Sequence, residues 1–166
     1  MSSQDTITLL NKAVADELCA IHQYIYFHVH LDDQGFRPLA ALFKKTAIRE
    51  MGHVEQLAER ILFLGGDVEM TAAAATLKII EPVEMLAKAA AMEQESAHFY
   101  NDAATQCGAN ADATTKQLFE GLVRDEESHY DEFQRQMDHI QRFGPTYLAL
   151  QSIGADAEAV AGKQVG

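Results

Sequence analysis

The chain has 166 residues, which is long enough for one domain to bury a core without disulfides or a structural metal. Its 25 acidic residues outnumber the 13 basic ones and give a formal charge of -12, which argues against nucleic acid or an anionic membrane surface as the main partner and makes cations more natural ligands. Since the chain has no apolar run of about eighteen residues and its first residues lack a secretory pattern, we expect a cytoplasmic protein. In a reducing cytosol its two cysteines, Cys19 and Cys107, are expected to be packing thiols.

Four long helical segments lie between breaks near residues 34–35, 65–67, 108–112 and 144. The predicted helices span 5–33, 37–64, 82–107 and 112–142, and a short fifth helix spans 145–153. The first and second helices, and likewise the third and fourth, are joined by short loops and are predicted to form antiparallel hairpins. Residues 65–81 are predicted to be one long crossover. The sequence therefore predicts an all-α four-helix bundle as one domain over residues 1–153, followed by a flexible C-terminal tail over 154–166.

Apolar residues spaced three and four apart predict which face of each helix points into the bundle. The first seam is predicted as Ile7, Leu10, Val14, Glu17, Ile21, Tyr24, His28 and Leu31, and the fourth as Leu118, Leu122, Glu126, His129, Phe133, Met137 and Ile140. Each of the four seams is interrupted near its middle by ionisable residues. These are Glu17, Glu50 with His53, Glu93, and Glu126 with His129.

Four carboxylates in an apolar interior require compensation, because each desolvated charge costs several kcal/mol. Two divalent cations would balance four carboxylates, and neutral imidazoles would complete the coordination without adding charge. Glu and His three residues apart project side by side from a helix and can hold one ion. Carboxylate with imidazole suits iron or manganese. A third Glu-x-x-His, Glu95 with His98, is predicted to point outward, because Glu95 lies about 200° around the helix from Glu93.

Four segments, with the order and spacing they have here, resemble the bacterioferritins. They are Glu17–Tyr24, Glu50–Glu55, Arg60–Gly66 and Asp125–His129. The resemblance spans nearly the whole chain and implies a ferritin-like four-helix bundle with one long crossover and a short fifth helix. It also implies an iron-storage protein whose subunits assemble into a hollow 24-mer.

For the individual residues, the resemblance implies a di-iron centre with Glu50 and Glu126 as bridging ligands and Tyr24 as a close neighbour. The remaining implied ligands are the terminal carboxylates Glu17 and Glu93 and the histidines His53 and His129. The implied activity is that of a ferroxidase, which oxidises Fe(II) to Fe(III) with O2 or H2O2 and delivers the product to the interior of the shell. Two irons held together can pass two electrons to one oxidant.

Met51 follows a ligand on the second helix and is predicted to face about 100° away from the seam. The resemblance implies that its thioether is an axial ligand of haem b or a related iron porphyrin at a two-fold interface, where a partner subunit supplies the second methionine. The alternative is that Met51 only packs against that partner. Leu18, Ile25 and Ile48 are expected to form apolar walls for the haem.

The chain departs from the family at two positions: Lys45 and Arg49 stand where bacterioferritins often have a histidine and an aspartate that form an extra iron site on the inner surface. We therefore expect that accessory site to be missing. His22 and His28 complete no spacing motif and are interpreted as packing or surface residues. A ferredoxin that releases the stored iron is a partner implied only by the resemblance.

Two rival functions share these residues. One is a ferritin-like di-iron enzyme that removes peroxide or oxygen without storing iron. The other is a haem-binding shell subunit with an inactive metal site.

Overall fold

The computed structural model describes residues 3–162, and in that range the chain forms five α-helices and no strand. The helices are α1 (Ser3–Asp33), α2 (Arg37–Phe63), α3 (Pro82–Ala109), α4 (Ala113–Phe143) and α5 (Pro145–Gly162). The predicted all-α architecture of four long helices followed by a fifth is confirmed. No helix in the described range is long and apolar enough to cross a membrane.

Local chemistry explains where the long helices begin and end. Pro82 opens α3, at a position where the missing N–H of proline costs no helical hydrogen bond. Asp112 caps α4 by accepting a hydrogen bond from the backbone N–H of Thr115. Gly35 and Gly65 follow α1 and α2 with φ values of 85° and 78°, which glycine adopts without steric cost.

The connection between α2 and α3 is the predicted long crossover, and two buried amides fix its path along α1. Asn11 donates to the carbonyl of Asp67 at 3.0 Å and accepts from the N–H of Glu69 at 2.9 Å. Gln23 makes the same pair of bonds with Leu77, at 2.9 and 2.8 Å. Because these amides satisfy backbone groups of an irregular segment, the crossover is held against α1.

The apolar core consists of two clusters, one on each side of the ionisable residues. One cluster contains Leu10, Leu57, Tyr100 and Phe119, and the other contains Phe27, Phe43, Leu86 and Phe133. Along each of the four long helices, the ionisable positions fall between the parts that contribute to the two clusters. The polar layer is therefore enclosed by packed side chains above and below it.

The predicted seams are wrong at two positions near helix ends. His28 and Leu118 are only partly buried, and Phe27 and Phe119 occupy the core instead. Consecutive residues of a helix lie about 100° apart, so two neighbouring positions can both border the core, and at these two places the phenylalanine is the buried one.

The fifth helix does not end at residue 153 but continues to Gly162. The extension contains four alanines, which favour a helix without any apolar periodicity. The flexibility proposed for the tail stays a prediction, and its last residues, 163–166, lie outside the described range.

Candidate metal centre

All six ionisable residues that the seams placed inside the bundle are buried. Each is at most 3% exposed. They are Glu17 on α1, Glu50 and His53 on α2, Glu93 on α3, and Glu126 and His129 on α4. The four long helices thus contribute to one site at the middle of the bundle.

The six side chains form two overlapping groups, in each of which one atom per residue lies within 4.8 Å of the others. One group is Glu17, Glu50, His53 and Glu126, and the other is Glu50, Glu93, Glu126 and His129. Glu50 and Glu126 belong to both groups. Such an arrangement provides two adjacent cation positions with two carboxylates between them.

One ring nitrogen of His53 lies close to three carboxylates, more than it can satisfy by hydrogen bonding. Its Nδ1 lies 2.7 Å from a carboxylate oxygen of Glu50 and 3.1 Å from oxygens of both Glu17 and Glu126. One imidazole N–H can donate to only one acceptor at a time. A cation at this position could bind several of these oxygens together with a ring nitrogen.

His129 repeats the arrangement on the other side, with Nδ1 2.9 Å from Glu50 and 3.3 Å from Glu93. Both oxygens of Glu50, one each of Glu93 and Glu126, and Nδ1 of His129 are buried without a hydrogen bond. Unsatisfied buried polar atoms cost free energy, so the site suits an added partner. The mixed carboxylate and imidazole donors fit iron.

Burial and mutual repulsion shift the ionisation of the site. Burial raises the pKa of Glu17 to about 7 and that of Glu126 well above its usual value. Burial also opposes the charged form of Glu50, but the close imidazoles of His129 and His53 outweigh this effect and lower the pKa of Glu50 to about 2. For His129, contacts with Glu50 and Glu93 outweigh burial and raise the pKa to about 9. Without cations, protons on the imidazoles and carboxyls supply the compensating charge.

Two buried tyrosines hold the outer carboxylates in place. Tyr24 donates a hydrogen bond to Glu93, and Tyr100 donates one of 2.6 Å to Glu17. Burial, followed by the nearby carboxylate charge, raises the pKa of each phenol well above its usual value, so both remain donors. The contact of Tyr100 with Glu17 was not identified from the sequence.

The sequence analysis also missed Asp125, which precedes the ligand candidate on α4. Its Oδ2 lies 3.4 Å from Nε2 of His53, the ring nitrogen that faces away from the other carboxylates. A carboxylate on that nitrogen favours the tautomer that leaves Nδ1 free to bind a cation. The signal available in the sequence was its position immediately before Glu126.

The positions that depart from the family form an ion-pair cluster. Glu132 lies 3.3 Å from Nζ of Lys45 and 3.4 Å from a guanidinium nitrogen of Arg49. Burial alone would raise the pKa of Glu132, but the two nearby cations outweigh burial, so the pKa lies below its usual value. Lys45 and Arg49 thus contribute cations, not metal ligands, to this surface.

Glu95, His98, His22 and His28 lie outside the metal centre. Glu95 and His98 are both exposed, so the third Glu-x-x-His points to solvent. His22 is exposed as well, and Nδ1 of the partly buried His28 contacts the carbonyl of Ala40 at 2.9 Å.

Met51 lies on the surface of α2, outside the metal centre. It is 52% exposed, and its neighbour Ile48, one turn earlier, is 57% exposed. Ile25 on α1 is 41% exposed and Leu18 is partly buried. These residues present a thioether among apolar side chains, which fits a flat apolar cofactor shared with a partner.

Comparisons with known proteins agree with the fold and the centre. A family model of the ferritin-like domain matches residues 7–143. The chain is 37% identical to a bacterioferritin of Desulfovibrio desulfuricans, with 86% of this chain and 80% of that protein covered. It is 36% identical to a bacterioferritin of Rhodobacter capsulatus, with 87% and 89% covered.

Solved structures give the same result. The Desulfovibrio desulfuricans bacterioferritin, whose di-iron site was solved in different catalytic states, superposes with a TM-score of 0.88 at 35% identity, covering 90% of this chain and 88% of that one. The Mycobacterium tuberculosis bacterioferritin superposes with a TM-score of 0.84 at 29% identity, covering 89% and 93%.

Proposed function

This chain belongs to the bacterioferritins, and on that premise we propose that it is a ferroxidase that oxidises Fe(II) at a centre within each subunit and stores the Fe(III) in a hollow shell. The observation that carries the proposal is the pair of overlapping ligand groups that share Glu50 and Glu126. Two cations bound there would neutralise four buried carboxylates, three of which have oxygens without a hydrogen bond.

The proposed ligand roles follow from membership of these groups. Glu50 and Glu126, which belong to both groups, would bind both irons. Glu17 with His53 would complete one site, and Glu93 with His129 the other. This is the ligand pattern of ferritin-like di-iron proteins, in which two helices each supply one Glu and two each supply Glu-x-x-His.

The proposed reaction uses proximity. Two ferrous ions give up one electron each, so one O2 with two protons becomes H2O2, or one H2O2 with two protons becomes two waters, without release of a radical. Tyr24 and Tyr100 keep the terminal carboxylates oriented through their hydrogen bonds. Asp125 holds the ring of His53, so the ligands are in position before iron arrives.

An anaerobic titration with Fe(II), followed by exposure to oxygen, tests this proposal. Wild-type protein should saturate at about two irons per chain and show a fast oxidation phase on mixing with oxygen. Glu50→Ala should lose both, because that residue belongs to both ligand groups. Glu95→Ala is the matched control, since it alters an exposed Glu-x-x-His on α3. Fast oxidation that survives in Glu50→Ala would refute the proposal.

Storage requires a shell, and we propose the 24-mer that the family implies. We place this shell in the cytoplasm and propose a ferredoxin as the reductant that releases the stored iron. The similarity to bacterioferritins over most of the chain supports an oligomeric shell. Light scattering should give a particle of several hundred kilodaltons. A stable monomer or simple dimer would instead favour the rival oxygen- or peroxide-removing enzyme.

We further propose that Met51 binds haem at the two-fold interface of this shell. The exposed thioether, one turn from the exposed Ile48 on α2, supports the assignment. In haem-replete protein, Met51→Leu should alter the Soret and near-infrared bands, whereas Leu62→Ala, an equally exposed apolar change on α2, should not. An unchanged spectrum in Met51→Leu would exclude the assignment.

A further inference from the structure

Two pockets connect the surface with the buried centre, on different sides of α4. The first lies between α2 and α4 and is lined by Arg49, His53, Gln56, Asp125, Ser128 and His129. The second lies between α3 and α4, where Glu93 and Ala97 are its buried floor and Glu127 is on its exposed rim. Their volumes, about 320 and 280 Å³, are similar, so size does not distinguish them.

The charges that line the two pockets differ. The α2–α4 pocket has one cation, Arg49, and its one exposed carboxylate, Asp125, is already in contact with His53. Lys45 forms an ion pair with Glu132, the same carboxylate that Arg49 contacts. Glu132 pairs with both of these cations and Asp125 contacts His53, so this mouth offers an approaching divalent cation no excess of negative charge.

The α3–α4 pocket has two carboxylates, Glu127 at its rim and Glu93 at its floor, and no lysine or arginine lines it. One oxygen of Glu93, Oε2, is buried 3.3 Å from Nδ1 of His129 and has no hydrogen-bond partner. The side chain is 1% exposed. A cation that enters here therefore finds an unoccupied carboxylate oxygen at the end of its path.

We propose that Fe(II) enters the centre through the α3–α4 pocket, with Glu127 attracting the ion and Glu93 receiving it. The inference rests on the proposed ferroxidase centre and adds the route by which its substrate arrives. A pocket with one sign of charge concentrates the opposite ion and speeds its association, whereas a cation at a mouth slows it. The small side chain of Ala97 leaves the floor open between the two carboxylates.

The experiment measures the rate of cation binding, separately from iron oxidation. Apo-protein is mixed anaerobically with Co(II) in a stopped-flow instrument, and the visible absorption of bound Co(II) is followed. Glu127→Lys should slow association by about tenfold and Glu127→Gln by about threefold, with the final amount of bound Co(II) unchanged. Arg49→Gln should change the rate by less than about twofold, because the other mouth carries little of the flux.

Glu59→Lys is the matched control, because it makes the same change of net charge at an exposed position of α2 that lines neither pocket. Its rate should equal that of the wild type. An unchanged rate in Glu127→Lys would overturn the proposal, as would an Arg49→Gln acceleration larger than the Glu127→Lys slowing. Failure of wild-type protein to bind Co(II) would instead refute the ferroxidase centre, so the two failures are distinguishable.

Discussion

Loading the centre with a redox-inert cation should stabilise the folded chain. The four carboxylates are at most 2% exposed, and the unfolded chain cannot bring them together, so Co(II) binds the folded state selectively. At a free concentration one hundred times the dissociation constant, each ion adds about 2.7 kcal/mol, or about 5 kcal/mol for two ions per chain. At this chain length 1 kcal/mol corresponds to about 2–4 °C, which gives an increase of about 10–20 °C in the midpoint.

Scanning calorimetry of chelator-treated protein with and without Co(II) measures this increase. Glu50→Ala should lose most of it, because that carboxylate serves both cation positions. Glu95→Ala should retain it in full, since its side chain points to solvent. An equal increase in wild type and Glu50→Ala would place the bound ions elsewhere and refute the reasoning.

Three smaller changes probe the surroundings of the centre. Tyr100→Phe removes the 2.6 Å hydrogen bond to Glu17 and should weaken Co(II) binding by about tenfold in calorimetric titrations, and an unchanged affinity would exclude a positioning role. Burial raises the pKa of Asp112, but hydrogen bonds from Thr115 and the charge of Arg60 outweigh it and lower the pKa below its usual 3.8. The ionised carboxylate therefore stabilises the fold above pH 3.8, and this stabilisation is lost as the pH falls through the lowered pKa. In urea unfolding, Asp112→Asn should lower the free energy of unfolding by about 1 kcal/mol at neutral pH and by nothing in acid. A loss of stability that persists in acid would contradict this. Gly66→Ala would place a Cβ 2.9 Å from the side chain of Ile7 and should destabilise by about 1–3 kcal/mol in the same assay, and a neutral result would show that Ile7 moves aside.

Periodicity predicted most of the fold because the seam of a long helix repeats many times. Glu17, Glu50, Glu93 and Glu126 were placed inside by their spacing alone, and all four are buried. At Phe27 and Phe119 the buried residue is next to the predicted one, because a spacing of three or four leaves a choice between neighbouring positions at each turn.

Contacts between distant parts of the chain could not be predicted in the same way. Tyr100 and Glu17 are 83 residues apart, and only the packed bundle aligns them. The amides Asn11 and Gln23 face an irregular crossover, which has no periodic pattern to identify its partners. The two pockets are likewise defined by the packing of helix pairs, so neither pocket was visible in the sequence.

The most direct test of the account is a crystal structure of protein soaked anaerobically with Fe(II), with anomalous scattering recorded at the iron edge. Two iron peaks a few ångströms apart are expected in each subunit, both in contact with Glu50 and Glu126, one beside His53 and the other beside His129. Iron confined to surface carboxylates, with those six side chains unliganded, would contradict it.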